Sequence, residues 1–246
     1  MKKLMLHGWA TGPFIWNALN IEATGDSALT MPGHGNSVNN AKWSEPNLEA
    51  PLELIEKEYQ GEKIDGIGWS LGGLTLLQAA ALSPEKINSL VLFGVSPCYT
   101  KKDDFPFGKS PALTRRMLMD LSSEMSGTLK RFFKLNFTKE EQELSEVTRT
   151  IDLLEENIKN LDKVSILNSL KALIRTDIRS ELCKVECPVL IIHGSRDEVC
   201  DKRSAEYLND NLNNSELSLI DKAGHAPFIT MPKEVTEIMT KFFERM

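Results

Sequence analysis

The sequence contains no stretch of about 18 consecutive apolar residues, which excludes an ordinary membrane-spanning helix. Its first residues begin like a secretion signal. However, His7, Gly8 and Pro13 interrupt the apolar run before a signal core of roughly 7–15 residues can form. We therefore expect a cytoplasmic protein that does not associate with membranes.

Cysteine is scarce as well. The four cysteines in 246 residues do not suggest a disulfide framework; they are Cys98, Cys183, Cys187 and Cys200. Cys183 and Cys187 could form half of a metal site, but the sequence offers no second pair of ligands beside them. We expect unrelated thiols and no bound metal.

Positive charge is not in excess. The chain has 29 Lys and Arg against 35 Asp and Glu, a net charge of −6, which argues against general nucleic-acid binding. Internal repeats and low-complexity segments are also missing. The apolar fraction of 41% is that of an ordinary folded protein, and the length suits one large domain with a sizeable core.

What the sequence does contain is an alternation of strands and helices. Apolar runs predict strands at Lys3–Leu6, Ser27–Thr30, Lys63–Trp69, Ile87–Val95, Pro188–His193 and Glu216–Ile220. Helical spacing predicts α-helices at Leu48–Tyr59, Leu71–Leu82, Lys202–Leu212 and Lys233–Phe243. This order is typical of an α/β fold with a mostly parallel sheet and helices on both faces.

The middle of the chain breaks this rhythm with helical patterns and no convincing strand. The patterns are Leu113–Glu124, Thr128–Phe137, Lys139–Asn157 and Leu161–Ile174. We predict an α/β core formed by residues 1–97 and 185–246, with a helical insertion at 98–184. Residues 101–134 carry 8 basic and 4 acidic side chains. A solvated helical surface explains this charge, and so does a docking face for an acidic partner.

The strongest chemical signal is Gly68-Trp69-Ser70-Leu71-Gly72-Gly73. It matches G-x-S-x-G and lies between a predicted strand and a predicted helix. A serine there occupies a sharp turn, so the residues two before and two after it must be small, as Gly68 and Gly72 are. The turn would lift the Ser70 hydroxyl to the carboxyl edge of the sheet. We predict that Ser70 is a nucleophile; a purely structural turn is the alternative.

A serine hydroxyl is a weak nucleophile and needs a base. Where this motif is catalytic, the acid and the base follow the serine along the chain. This order excludes His7 and His34 as the base. His193 ends a predicted strand, and we expect it to be structural. His225 lies in a loop of small residues between the last strand and the last helix. A ring there can reach Ser70, so we predict His225 as the base.

The acid should lie in the loop after the fifth predicted strand. We predict that Asp197 is the acid, because a short carboxylate at that point can accept a hydrogen bond from Nδ1–H of His225 and fix its tautomer. Glu198 and Asp201 are alternatives. Asp221 lies too near His225 in sequence to reach back under the ring.

Two N–H donors should stabilise the oxyanion of such a reaction. Leu71, directly after Ser70, supplies one at a helix N-terminus. The other should come from the loop after the first strand, where Gly8 allows a tight turn and the N–H of Trp9 can point into the site. The Trp9 side chain could wall the pocket, or Trp9 could simply be a core aromatic.

These motifs do not stand alone. Together with Met31-Pro32-Gly33-His34-Gly35, Ser96-Pro97-Cys98 and Gly224-His225-Ala226-Pro227-Phe228, they resemble the α/β-hydrolase superfamily along nearly the whole chain. More narrowly, the chain resembles the pimeloyl-[acyl-carrier protein] methyl ester esterases of biotin synthesis. The resemblance implies an α/β-hydrolase fold with a helical lid at 98–184. It also implies a serine esterase that releases methanol from a carrier-bound pimeloyl chain and needs no cofactor.

The resemblance further implies roles for lid residues. It places a substrate-contacting segment after Arg131, and it matches Arg131 to an arginine that helps dock the acidic acyl carrier protein. The members of this segment are Phe132, Phe133, Lys134, Leu135 and Asn136. For Phe132, Phe133 and Phe137, packing in the core of the lid is an equal alternative.

Other functions fit the same residues. A general short-chain carboxylesterase would use the same triad, and so would an enzyme that cleaves carbon–carbon bonds, because this fold hosts many reactions. A binding module without catalysis is a third possibility, which the complete triad disfavours.

Overall fold

The computed structural model describes residues 2–19, 27–35, 41–59 and 61–246. The predicted core segment 1–97 therefore includes positions that lie outside the described residues.

Within these ranges, six parallel strands form one sheet. They are β1 (Lys2–Leu6), β2 (Ser27–Leu29), β3 (Ile64–Trp69), β4 (Ile87–Phe93), β5 (Val189–Gly194) and β6 (Ser215–Ile220). Their order across the sheet is β2-β1-β3-β4-β5-β6, and every neighbouring pair is parallel. Strands β3 and β5 are buried at every residue. Burial on both faces explains why β5 reads as a continuous apolar run. In β3 the run is interrupted by the buried Asp65, which accepts hydrogen bonds from Asn88 and Ser89.

The described ranges also contain nine α-helices. They are α1 (Glu49–Glu58), α2 (Leu71–Leu82), α3 (Pro111–Ser123), α4 (Met125–Leu135), α5 (Ser145–Asn157), α6 (Lys163–Arg175), α7 (Lys202–Asn211), α8 (Pro227–Thr230) and α9 (Pro232–Phe243). Helix α2 packs on β1, β3 and β4, and α1 packs on α2. Helix α7 packs on β5 and β6, and α8 and α9 pack on β5. Helix α2 is apolar nearly all round because it packs on the sheet and is itself covered by neighbouring elements.

The segment 98–184 connects β4 to β5 and contributes helices α3 to α6 but no strand. Helix α4 packs between α3 and α5. The side chains of Leu121, Leu129 and Phe133 are completely buried. The inserted helices therefore pack around an apolar interior, as amphipathic helices do.

The predicted fold class is confirmed, and most predicted elements are found with their ends shifted by one to three residues. Helix α2 begins and ends as predicted. The helix predicted at Lys139–Asn157 is wrong in its start, since α5 begins only at Ser145. Before it, the hydroxyl of Thr138 and the carboxylate of Glu141 cap a short separate turn.

None of the helices in the described ranges combines the length and the apolar character that a membrane crossing requires. The four cysteines are all free thiols.

Candidate active site

Ser70 lies in a sharp turn between β3 and α2. Its backbone has φ 53° and ψ −116°, a conformation that a residue other than glycine adopts only when its surroundings enforce it. A Cβ at Gly68 would lie 2.4 Å from the Cα of Gly73, and one at Gly72 would lie 2.2 Å from the carbonyl oxygen of Leu6. Close backbone approach therefore requires these glycines, and it brings the turn against the end of β1.

The turn leaves the Ser70 hydroxyl without a hydrogen-bond partner among the described residues. The backbone N–H of Ser70 donates to the carbonyl of Phe93 at 2.8 Å, at the end of β4. Ser70 precedes α2, yet its hydroxyl does not cap the helix. The residue is 8% exposed, and its hydroxyl makes no hydrogen bond within the described ranges. It is thus free to react with a bound substrate.

His225 follows β6 in a loop that crosses the same sheet edge. Its carbonyl accepts the indole N–H of Trp69 at 3.0 Å, and the two rings lie 5.5 Å apart. A Cβ at Gly94 would lie 2.7 Å from Nδ1 of His225. His225 and Ser70 therefore both lie against the end of β4, at Phe93 and Gly94.

Asp197 lies in the loop after β5 and contacts the imidazole directly. Its Oδ2 atom is 2.6 Å from Nδ1 of His225, and its Oδ1 atom accepts the N–H groups of Val199 and Cys200. Burial alone would raise the pKa of Asp197. The neighbouring imidazoles and the hydrogen bonds outweigh this and hold the pKa below its usual range. An ionised Asp197 accepts a hydrogen bond from Nδ1–H of His225. This leaves Nε2 of His225 as the basic atom.

The Nε2 atom of His225 is buried and has no hydrogen-bond partner among the described residues. The sheet edge thus carries both Ser70 and His225, with no hydrogen bond between them. Catalytic hydrogen bonds of this kind often form fully only when substrate is bound.

The three other carboxylates that the sequence offered have different contacts. Asp201 caps α7 by accepting the N–H of Arg203 at 3.0 Å. Asp221 accepts a hydrogen bond from the hydroxyl of Ser195 at 3.4 Å. Glu198 is contacted through its backbone carbonyl. Asp197 is therefore the carboxylate that meets His225 within the described part of the chain.

Two backbone N–H groups near Ser70 are unused. Leu71 opens α2, and neither its N–H nor that of Trp9, in the turn after β1, has a hydrogen-bond acceptor in the described ranges. The positive end of the α2 dipole lies at the same place. Because Gly72 packs on the carbonyl of Leu6, the two turns are held together. The oxyanion role of these two N–H groups stays a prediction.

Comparison with known proteins agrees with this geometry. A family model described as "alpha/beta hydrolase fold" matches residues 27–232. The chain is an alpha/beta hydrolase.

Two curated relatives are similar to this hydrolase over most of their length. Both are named "Pimeloyl-[acyl-carrier protein] methyl ester esterase". The protein of Aromatoleum aromaticum is 30% identical over 239 residues, which cover 94% of this chain and 93% of that protein. The protein of Nitrosomonas europaea is 30% identical over 238 residues, which cover 94% of this chain and 91% of that protein. The resemblance expected from the sequence is therefore confirmed.

A solved structure shows the same fold. The esterase EaEST from Exiguobacterium antarcticum superposes with a TM-score of 0.89 at 23% identity, covering 99% of this chain and 92% of that one.

Two further histidines of the hydrolase hold the loops next to the site. Nε2 of His7 accepts the N–H of Met31 at 3.0 Å. Burial, and then the nearby ring of His34, lower the pKa of His7 to about 3, although a hydrogen bond with the Gly8 carbonyl opposes the shift. Burial likewise lowers the pKa of His34 to about 4, against a hydrogen bond with the Pro32 carbonyl. Both rings are therefore neutral at pH 7.

The contact of His193 with the acid was missed in the sequence. Its Nε2 atom lies 3.1 Å from Oδ2 of Asp197 and 2.9 Å from the carbonyl of Cys200. Burial works to lower the pKa of His193. The hydrogen bond with Asp197, the negative charge of Asp197, the hydrogen bond with the Cys200 carbonyl and the charge of Asp201 together outweigh burial, so the pKa is raised. His193 and His225 thus share one carboxylate oxygen. The sequence shows only that His193 and Asp197 are four residues apart. That spacing alone does not predict a contact between them.

Within the predicted substrate segment, Phe132 and Leu135 differ from Phe133. The ring of Phe132 meets that of Trp9 edge to face, with centroids 4.9 Å apart, and Leu135 is 41% exposed. Phe133 is completely buried inside the inserted helices. The helix therefore turns Phe132 and Leu135 outward, three residues apart, and Phe133 inward.

The end of the same segment contacts the loop of His225. Asn136 is buried, and its carbonyl accepts the N–H of His225 at 2.8 Å. Lys134 is exposed and uses its backbone carbonyl to accept from Gln142. Phe137 is buried beside them. This part of the segment meets the site through its backbone.

A cavity of about 450 Å³ lies between α3 and α4. Its walls combine apolar side chains with arginines, and they include Tyr99, Met117, Phe132, Leu135, Arg116 and Arg131. Arg116 pairs with Asp120 at 2.8 Å. Arg131 donates to the hydroxyl of Thr128 at 3.1 Å and has no carboxylate partner among the described residues. The cavity thus has an apolar wall, which includes Phe132, and a positive charge at Arg131 that has no carboxylate partner among the described residues.

Proposed function

We propose that this hydrolase is a serine carboxylesterase that cleaves the methyl ester of a pimeloyl chain on acyl carrier protein, a step of biotin synthesis. The observation that carries the proposal is the 2.6 Å contact between Asp197 and His225, beside the strained turn of Ser70. The names of the two relatives at 30% identity support the choice of substrate.

The reaction begins at Ser70. Its Oγ attacks the ester carbonyl carbon while Nε2 of His225 takes the hydroxyl proton. The ionised Asp197 holds the imidazolium that forms. When the tetrahedral intermediate collapses, the bond to the methoxy oxygen breaks, and His225 gives its proton to that oxygen. Methanol leaves, and the acyl group remains on Ser70.

The oxyanion is stabilised by the N–H groups of Trp9 and Leu71. Loss of one such donor typically costs about 10²–10³ in rate. Water then attacks the acyl-enzyme with His225 as the base, and the free carboxylic acid leaves. Each step uses only groups of the protein, the substrate and water.

The inserted segment 98–184 acts as a lid in this proposal. Ser70 is 8% exposed and His225 is 1% exposed, so part of the lid must move for a substrate to enter. We assign substrate contact to Trp9 and, within the 132–136 segment, to Phe132 and Leu135. The cavity wall at Phe132 and Leu135 is apolar and suits a chain of methylene groups.

We propose that the acyl carrier protein docks on the α3–α4 side of the lid. Arg115, Arg131 and Lys134 are exposed there, and none of them pairs with a carboxylate within the described ranges. Such a surface attracts an acidic carrier at long range. A carrier-bound substrate would place the enzyme in the cytoplasm.

The experiment measures methanol release from two esters of the same acyl chain. One is the pimeloyl methyl ester on acyl carrier protein, and the other is the free dimethyl ester. We expect a higher kcat/KM for the carrier-bound ester and a preference that falls as salt is added. Equal kcat/KM for both esters would indicate a general carboxylesterase.

A charge variant identifies the docking face. Arg131→Ala should raise KM for the carrier-bound ester about two- to tenfold, since one surface charge pair contributes roughly 0.2–1 kcal/mol, or more at an interface. Because Arg131 also lines the cavity, KM for the free ester should change less than KM for the carrier-bound ester. Arg175→Ala, at an exposed arginine on the end of α6, is the matched control. An equal effect of both variants would contradict a localised docking face.

A further inference from the structure

Glu141 is a buried carboxylate that the proposed mechanism does not use. It is 5% exposed and begins the short turn Glu141–Glu143 in the lid, after α4. No ion pair involves it within the described ranges. A buried carboxylate must be satisfied by hydrogen-bond donors, and for Glu141 these donors come from two distant parts of the chain.

One set of donors is local. The N–H of Thr138 donates to Oε2 of Glu141 at 2.8 Å, and the N–H of Glu141 donates to the hydroxyl of Thr138 at 3.2 Å. This is the reciprocal pattern of a capping box, in which a Thr and a Glu three residues later satisfy each other's backbone. The pattern T-x-x-E in the sequence signals this cap, but it does not signal a second role.

The other donors come from the loop that carries His225. The N–H of Gly224 donates to Oε2 of Glu141 at 3.0 Å, and the hydroxyl of Thr230 donates to Oε1 at 2.7 Å. Gly224 directly precedes His225, and Thr230 ends the helix that follows it. The carboxylate therefore holds the loop on both sides of the imidazole.

The backbone approach at this contact is as close as a glycine allows. A Cβ at Gly224 would lie 2.7 Å from Oε2 of Glu141 and 2.8 Å from the carbonyl of Asn136. The same carbonyl accepts the N–H of His225 at 2.8 Å. The lid and the loop thus meet through three hydrogen bonds, two of which need the carboxylate of Glu141.

We propose that Glu141 is a positioning residue, which fixes the loop of His225 so that the imidazole stays between Asp197 and Ser70. The proposal rests on the proposed function, because it assigns Glu141 to hold the proposed base. The lid then both covers the active site and completes its geometry. A displacement of about 1 Å at a reacting group can cost roughly 10² in rate.

Two substitutions at Glu141 distinguish the effect of its hydrogen bonds from the effect of its side-chain volume. In Glu141→Gln, the carbonyl oxygen can accept from Thr138 and Gly224, and the amide can donate to the hydroxyl of Thr230. In Glu141→Leu, every acceptor is lost. With an activated short-chain ester, we expect Glu141→Leu to lower kcat about 10²-fold with KM within about twofold of wild type. Glu141→Gln should keep kcat within about threefold.

Two matched variants distinguish positioning from lid stability. Thr138→Val removes the hydroxyl of the capping box and leaves both contacts between Glu141 and the loop. It should lower Tm without changing kcat. Thr230→Val removes only the hydroxyl on the loop side, and it should lower kcat to a value between those of wild type and Glu141→Leu.

The decisive readouts are kcat and the rate at which a phosphonate probe labels Ser70, both measured with folded protein. Wild-type kcat in folded Glu141→Leu would overturn the proposal, as would an equal loss of kcat in Thr138→Val. If Glu141→Leu does not fold, wild-type kcat in Thr230→Val overturns it instead. Full turnover by Ser70→Ala has a different meaning, because it contradicts the proposed function and not the contact.

Discussion

The rings of Trp9 and Phe132 meet edge to face, with centroids 4.9 Å apart. Trp9 belongs to the turn after β1 and Phe132 to α4, so the pair joins the α/β core to the inserted helices. The indole N–H of Trp9 also donates to the carbonyl of Ile166 in α6, at 3.0 Å. Trp9 thus contacts two helices of the lid through its side chain, while its backbone N–H has no hydrogen-bond acceptor within the described ranges.

The ring of Phe132 should contribute to acyl binding. An edge-to-face pair is worth about 0.5–1.5 kcal/mol beyond its buried area, and the ring also lines the cavity between α3 and α4. We expect Phe132→Ala to raise KM for a long-chain ester about two- to tenfold and to leave KM for an acetyl ester nearly unchanged. Steady-state kinetics with a series of p-nitrophenyl esters measure this.

A neighbouring residue provides the control for Phe132. Phe133 is completely buried in the lid, so Phe133→Ala should reduce the free energy of unfolding by about 3–5 kcal/mol. If Phe132→Ala leaves the dependence of KM on chain length unchanged, that result would contradict substrate contact at Phe132.

Gly94 makes room for the imidazole of His225, and its φ is +57°. A Cβ there would lie 2.7 Å from both Nδ1 and Cε1 of the ring. Gly94→Ala should therefore displace His225 and lower kcat about 10²-fold or more. Gly61→Ala is the control, because Gly61 also has positive φ, +91°, but no atom within 4 Å of a new Cβ. Equal activity of the two variants would mean that the imidazole does not have to lie against β4.

Stability should fall as the solution becomes acidic, because His7 and His34 are buried as neutral rings. Their pKa values in the folded protein are about 3 and about 4, against 6.5 for an unperturbed histidine. Between about pH 6.5 and 4 the unfolded chain therefore binds protons that the folded protein does not. Stability is complete above pH 6.5 and is lost as the pH falls, by about 1.4 kcal/mol per pH unit for each histidine.

Urea denaturation at a series of pH values tests this slope. His34→Phe removes one titrating group, so the free energy of unfolding should fall less steeply between about pH 6 and 4.5, by about 1.4 kcal/mol per pH unit. The same slope in wild type and variant would show that His34 titrates in the folded protein as it does when unfolded.

The central sheet could be predicted because local patterns determine it. The candidate residues Ser70, Asp197 and His225 are expected from the motif at Ser70 and its chain order, and the structure brings Asp197 into contact with His225. Apolar runs between turns identify β4 and β5, since strands buried on both faces carry no polar alternation. The glycines of the turn around Ser70 are dictated by backbone contact. Asp197 follows from the chain order that this motif requires.

Contacts between distant segments could not be predicted in the same way. The meeting of His193 with Asp197 depends on how the loop after β5 folds back on the strand, which no periodicity encodes. The contacts of Glu141 depend on where the lid meets the loop of His225. The late start of α5 has a related cause, since Thr138 and Glu141 use their polar groups in a separate cap rather than in a continuous helix.

The most direct test of the account is the covalent labelling of one serine. Wild-type protein and Ser70→Ala are treated with a fluorophosphonate, and the adduct is located by mass spectrometry of peptides. The account predicts one adduct, on Ser70, with loss of ester hydrolysis in step with labelling, and neither labelling nor turnover in Ser70→Ala. An adduct at another residue in active protein, or full ester turnover by Ser70→Ala, would contradict it.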